Sequence, residues 1–172
     1  MKFSLSIALV LRVGVLGLAV IGFSSQAFAE HTRVTYPNSF NVEVLGKSLA
    51  YSVNYDRVMN DDLVAGVGFG STGTSYGISA TLIPVYVNYY FARDQGSLYV
   101  TGGGNLITNS SSVQGASASV SNLVFPTNGV LPFFGIGYES RSDAGFLFRL
   151  TAYGIVGSSL IAWGGATLGF CF

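Results

Sequence analysis

Glu43 and Arg149 each fall on the polar side of a segment whose other side is apolar. An acid and a guanidinium so placed can do one of two things. They can relay or gate ions along a polar path, or they can neutralise each other inside a packed interior, where an unpaired charge is costly. Asn41, Asn54 and Asn88 hold the same kind of position and can hydrogen-bond to either charge. The pattern predicts a small interior polar network with Glu43 and Arg149 as its central ion pair. A structural plug is the plainer reading, and a gate or proton path the sharper one.

Little else in the chain could do chemistry. A Ser, Thr or Cys nucleophile needs a neighbouring base, most often His. The single histidine, His31, precedes every patterned segment, and the single cysteine, Cys171, has no disulfide partner. No cluster of His or Cys has ligand spacing. Asp56 with Asp61 and Asp62 could suggest calcium, but a solvated turn accounts for them. Gly102, Gly103 and Gly104 form no phosphate cradle, because no helix follows; within a strand they let a bulky Tyr approach. The expectation is a protein that is not an enzyme, with no catalytic residue, metal or cofactor.

The elements that must position Glu43 and Arg149 are strands. Period-2 alternation recurs after Tyr36, over 40–44, 49–56, 63–69, 78–91, 98–106, 130–139, 146–152 and 162–172. That makes eight. The apolar phase flips across Gly46, Lys47 and Ser48, which reads as a tight turn. Pro84 is expected at a bulge or at the outer end of its strand. Polar turns at 59–62, 92–96 and 140–145 share one end, while the nearly uncharged loops at 46–48, 71–77, 108–129 and 156–160 share the other. One face of the strands carries Asn41, Glu43, Ser52, Asn54, Asp56, Asn88, Thr101, Asn105, Arg149 and Thr167, with Tyr86, Tyr90, Tyr99, Tyr153 and Trp163. The opposite face is apolar, with Tyr55, Tyr89, Phe91, Tyr138 and Phe172 near its ends.

Composition says where such strands belong. Charged residues make up 9% of the chain, against about 25% in an ordinary soluble domain. Lys2 and Arg12, an apolar run over 13–23 and the small-x-small residues Ala27, Phe28 and Ala29 together predict a cleaved signal peptide, 1–29. A short segment, 30–39, then leads into the strands of 40–172. Past the leader, six basic residues face eight acidic ones, so no basic patch invites nucleic acid. An exported, apolar chain that lacks a membrane-length helix yet alternates throughout is suited to a closed barrel in lipid.

Counting back from Phe172, every second residue is apolar or small: Phe170, Leu168, Ala166, Gly164 and Ala162. This strand resembles the C-terminal sorting and assembly signal of bacterial outer-membrane barrels, with Leu168, Phe170 and Phe172 as its key positions. With the stretches 46–57 and 84–90, it makes the chain similar to the small eight-stranded outer-membrane barrels of the OmpX/OmpA type. The resemblance implies an all-β, antiparallel, up-and-down transmembrane barrel in the bacterial outer membrane, with a packed lumen. It also implies contact with outer-membrane lipid, and help during biogenesis from the barrel-assembly machinery and periplasmic chaperones. The expected role is structural or surface-interacting through the external loops, chiefly 108–129, with the extracellular partner unspecified. The outside loops read as short and the family's long protruding strands are not evident. Two alternatives stand: a narrow pore for small solutes, and a soluble exported barrel whose apolar faces turn inward around an apolar ligand.

Overall fold

A computed structural model describes residues 32–73, 78–112 and 129–172. The expected signal peptide, His31 and residues 113–128 of the expected 108–129 loop lie outside the described residues. A single helical turn, α1 (Thr32–Thr35), precedes eight strands: β1 (Asn38–Leu45), β2 (Tyr51–Asn60), β3 (Leu63–Ser71), β4 (Ile78–Tyr90), β5 (Gly96–Ser112), β6 (Gly129–Arg141), β7 (Phe146–Val156) and β8 (Leu160–Cys171). Each pairs antiparallel with the next, and β1 pairs with β8, so the sheet closes into an up-and-down barrel with no free edge. The start of β1 and the residue that follows β8 lie at one mouth, where Asn38 and Phe172 exchange backbone hydrogen bonds of 3.0 and 2.9 Å. We call this the terminal mouth and the opposite one the far mouth.

Alternation decides what each strand presents. In β2, β6 and β7, residues alternate between buried and exposed along most of their length. The outward rows carry Phe40, Val42, Val44, Val53, Val67, Phe69, Val85, Val87, Leu98, Phe134, Ile136, Leu168 and Phe170, all exposed. The inward rows carry Asn41, Glu43, Asn54, Asp56, Asn88, Asn105, Glu139 and Arg149, all buried. A soluble barrel around an apolar ligand requires the reverse. Charge follows the same division: Arg33, Glu43, Lys47, Asp56, Glu139, Arg141 and Arg149 are buried, whereas Arg57, Asp61, Asp62, Arg93, Asp94 and Asp143 gather near the terminal mouth.

The interior is layered. Polar and aromatic side chains fill the terminal half. The far half holds an apolar cluster of Leu49, Ala80, Leu82, Ile107, Leu131, Phe133 and Ile155 around Tyr86 and Tyr153, with Ile161 and Trp163 against it.

Several sequence expectations need correction. β1 begins at Asn38 instead of Phe40, and β5 runs to Ser112 instead of ending near Leu106. The β4–β5 ladder extends to Ile78 opposite Ser112. The added length of β5 was hidden in the sequence because its Ser, Asn and Thr residues have the composition of a loop. Pro84 sits in mid-strand, facing inward opposite Asn105, and not at the outer end. Between β3 and β4 the register pairs Val67 with Val85 and resumes at Gly70 with Leu82, a gap at the residue that has no N–H to offer. The bulge falls nearby, between Thr81 and Leu82. Arg141 belongs to β6, not to the turn that follows.

Glycine makes room for the large lumen side chains. A Cβ on Gly103 would lie 2.7 Å from Tyr86 Cβ and closer still to the Val85 carbonyl. Gly102, one residue away and facing outward, has nothing within 4 Å of the corresponding position. Gly103→Ala should therefore lower the stability of the folded barrel by about 1–3 kcal/mol, since an overpacked interior has to shift backbone. Gly102→Ala should leave it within about 0.5 kcal/mol. Urea midpoints followed by fluorescence of Trp163, the chain's single tryptophan, measure both.

Candidate functional site

The buried charges form two clusters joined by amides. Near the terminal mouth, Glu139 is the hub. It stands directly opposite Arg149 in the β6–β7 register and accepts Arg149 Nε at 2.5 Å. Its other oxygen accepts Arg141 Nε at 2.7 Å and lies 3.6 Å from Arg33 Nε. The Tyr90 hydroxyl donates at 2.5 Å to the same oxygen as Arg149. Arg149 then turns its Nη1 to Asp56 Oδ2 at 2.6 Å, across the barrel. Asp56 also accepts Asn41 Nδ2 at 3.0 Å and the Tyr86 hydroxyl.

The second cluster centres on Glu43, which is fully buried. Its carboxylate accepts Lys47 Nζ at 2.6 Å, Tyr153 OH at 2.7 Å, and longer bonds from Ser52 and Thr167. The turn between β1 and β2 makes the lysine contact possible. Gly46–Ser48 forms one turn of 3-10 helix, with Leu45 at φ 59° and Leu49 at φ 74°, in the left-handed region that side chains rarely adopt. Gly46 has φ 71°, and any Cβ there would meet the Glu43 carboxylate. Folded this tightly, the turn buries Lys47 within the barrel, its ammonium 4.4 Å from the centre of the Tyr86 ring. Asn105 holds the turn down, donating to the Lys47 carbonyl at 2.8 Å.

Asn54 links the clusters, donating at 3.1 Å to both Ser52 Oγ and Asn41 Oδ1. A hydrogen-bonded file therefore runs from Lys47 through Glu43, Ser52, Asn54, Asn41, Asp56 and Arg149 to Glu139. In water these groups would be solvated; here each charge is held by an opposite one or by fixed dipoles, the condition under which buried ions can be retained.

All five network residues expected from the sequence are buried on the inner face, Asn88 among them. The pairing is different. Glu43 and Arg149 are not each other's partners: Glu43 takes Lys47, and Arg149 takes Glu139 and Asp56. The physical reason is register together with a folded-back turn. Glu139 lies directly across from Arg149, and Lys47, expected in an outer loop, returns four residues to reach Glu43. Glu139, Arg141, Lys47 and Arg33 are thus members that sequence reasoning missed. Continuing the inward parity of Phe133 along β6 reaches Glu139 and Arg141; no comparable signal marks Arg33 or Lys47. Asp56 is inside the lumen and apart from Asp61 and Asp62, which face Arg93 at 3.0 and 3.1 Å at the exposed terminal mouth. Leu168, Phe170 and Phe172 lie exposed on the outer wall, with Phe170 edge-on to Phe146 and Phe172 stacked on Phe40.

Removing the hub should cost far more than removing a rim charge. Glu139→Ala leaves three guanidinium groups without their shared carboxylate and should destabilise the barrel by about 3–5 kcal/mol. Asp62→Ala, whose partner Arg93 is solvent-exposed, should cost about 0–1 kcal/mol. A Glu43→Gln/Lys47→Met double-mutant cycle should return a coupling above about 1 kcal/mol, because Lys47 loses its buried counter-charge. Urea unfolding provides all three values.

No protein-family model matches this chain, and no curated protein matches it in sequence. Among solved structures, the fold is similar to the N-terminal β-barrel domain of OprF from Pseudomonas aeruginosa. The TM-score is 0.54 at 18% identity, covering 78% of this chain and 97% of that one. At that identity the likeness is one of fold.

Proposed function

We infer that this chain is an integral outer-membrane barrel with a packed lumen, structural or surface-interacting in role. The observation that carries the reading is the inverted distribution of side chains. A continuous outer wall of exposed Phe, Val, Leu and Ile surrounds an interior that holds the buried charges. In water such a surface would aggregate; in a bilayer it is the solvated one, and closure satisfies every strand's backbone groups. Strand lengths agree. Seven of the eight strands contain nine residues or more, up to 17 in β5, and a tilted strand needs about 9–11 to cross the hydrocarbon core. On the wall formed by β1, β7 and β8, Phe40, Val42, Phe146, Phe148, Leu168 and Phe170 edge an open apolar groove of about 650 Å³, suited to acyl chains. The similarity in fold to the OprF β-barrel domain supports the same assignment.

The terminal mouth then faces the periplasm and the far mouth the exterior. Contact with an external partner falls to the far loops. The outward row Leu168, Phe170 and Phe172 is where barrel-assembly machinery and periplasmic chaperones would engage the chain.

A narrow pore is the second reading, favoured by the continuous file of polar groups along the lumen. Against it stands the apolar layer in the far half, where Leu82, Leu131 and Ile155 are completely buried.

Fractionation with gel analysis tests the first reading. The protein should sit in the outer membrane and migrate faster unboiled than boiled. Recovery from the soluble periplasm overturns it. Planar bilayers separate the two readings: the packed lumen predicts silence, while conductance that changes in Glu43→Gln or Arg149→Met establishes the pore.

A further inference from the structure

The terminal mouth contains a group that neither the barrel wall nor the proposed role accounts for. Arg33 belongs to the helical turn before β1, outside the sheet, yet it is 2% exposed. Its guanidinium carbon lies 3.8 Å from the centre of the Tyr90 ring, stacking distance for a planar cation. Nη1 points to two carbonyls, Asp61 at 3.4 Å and Ala92 at 3.3 Å, each from a different turn of the terminal mouth. Nε faces Glu139 at 3.6 Å. Burial lowers the pKa of Arg33 from its ordinary value, with Glu139 and the Tyr90 oxygen opposing.

An aromatic face, a buried carboxylate and two converging carbonyls recognise a planar cation with several donors. A point-charge ammonium would satisfy fewer of them. The geometry points to a guanidinium-binding site at the terminal mouth, filled in cis by Arg33, so that segment 32–37 is a tethered stopper sealing this end of the lumen. Tyr36 and Pro37 help anchor the tether: the Tyr36 carbonyl lies 3.5 Å from Arg141 Nη1, and the Pro37 carbonyl accepts Val58 N at 2.7 Å. The seal differs in kind from the ion pairs deeper in the lumen. It connects a pre-barrel segment to two turns, so it can open with every strand pairing intact.

Cys171 supplies a native reporter. It is the chain's single cysteine, it is buried, and it stands opposite Ser39 on the inward face near Arg141 and Glu139. The experiment is thiol labelling of the full, purified, folded chain in detergent with a small charged thiosulfonate. It depends on the closed barrel and not on membrane location, so its failure is separate from failure of the function proposed above. In Arg33→Ala, still heat-modifiable on a gel, Cys171 should label about tenfold faster or more than in the unaltered chain, the effect of lowering a local opening free energy. Millimolar methylguanidinium should slow that labelling again, and methylammonium should do so much less. Should Arg33→Ala not fold, Arg33→Lys takes its place with the same expectation. Unchanged labelling in a folded Arg33 variant overturns the stopper. Equal protection by the two cations overturns the guanidinium site.

Discussion

Glu139 is the group on which the interior of this barrel depends. It is a fully buried carboxylate surrounded by three guanidinium groups, from Arg33, Arg141 and Arg149. A lone carboxylate there would cost several kcal/mol to desolvate, and so would each arginine. Together they form a local lattice in which every removal leaves an uncompensated charge. Because Arg149 also reaches Asp56, the lattice ties β6 and β7 to β2 across the lumen. A closed sheet has a fixed circumference; this cross-bracing fills its inside with bonds in place of solvent.

That constraint explains the rest of the arrangement. With eight strands there is room for side chains and little more. Tyrosines occupy the middle, and glycines stand beside their rings on the neighbouring strands, Gly66 next to Tyr86, Gly137 next to Tyr99 and Gly135 next to Tyr153. The far half is closed by aliphatic packing and the terminal half by charge. The outer wall has no such requirements and is simply apolar, which suits a hydrocarbon surrounding in a way that water would not.

Much of this was legible in the sequence. Two-residue alternation placed eight strands and sorted Asn41, Glu43, Asn54, Asn88 and Arg149 onto the inner face, because the pleat leaves a strand no other choice. Partner identity was not legible. It depends on register, which single strands do not encode, and on the backbone of one tight turn that sends Lys47 inward. The length of β5 was hidden for a different reason: beyond Ile107 its Ser, Asn and Thr residues have the composition of a loop, although the backbone continues to pair with β4. Arg33 was invisible for a third reason, since no periodicity marks a residue ahead of the first strand.

The buried ion pairs differ in how far apart their partners lie along the chain, and this sets when each can form. Glu43 and Lys47 are four residues apart, Glu139 and Arg149 ten, and Arg141 lies two from Glu139. These pairs close within a single turn or a single hairpin. Among the described residues, only the link between Arg149 and Asp56, separated by 93 residues, and that of Arg33 to Glu139 wait for distant segments to meet. Most of the charge that must leave water can therefore be neutralised while the chain is still a set of separate hairpins. The long-range links then act as a latch, made when β1 meets β8 and the cylinder becomes whole.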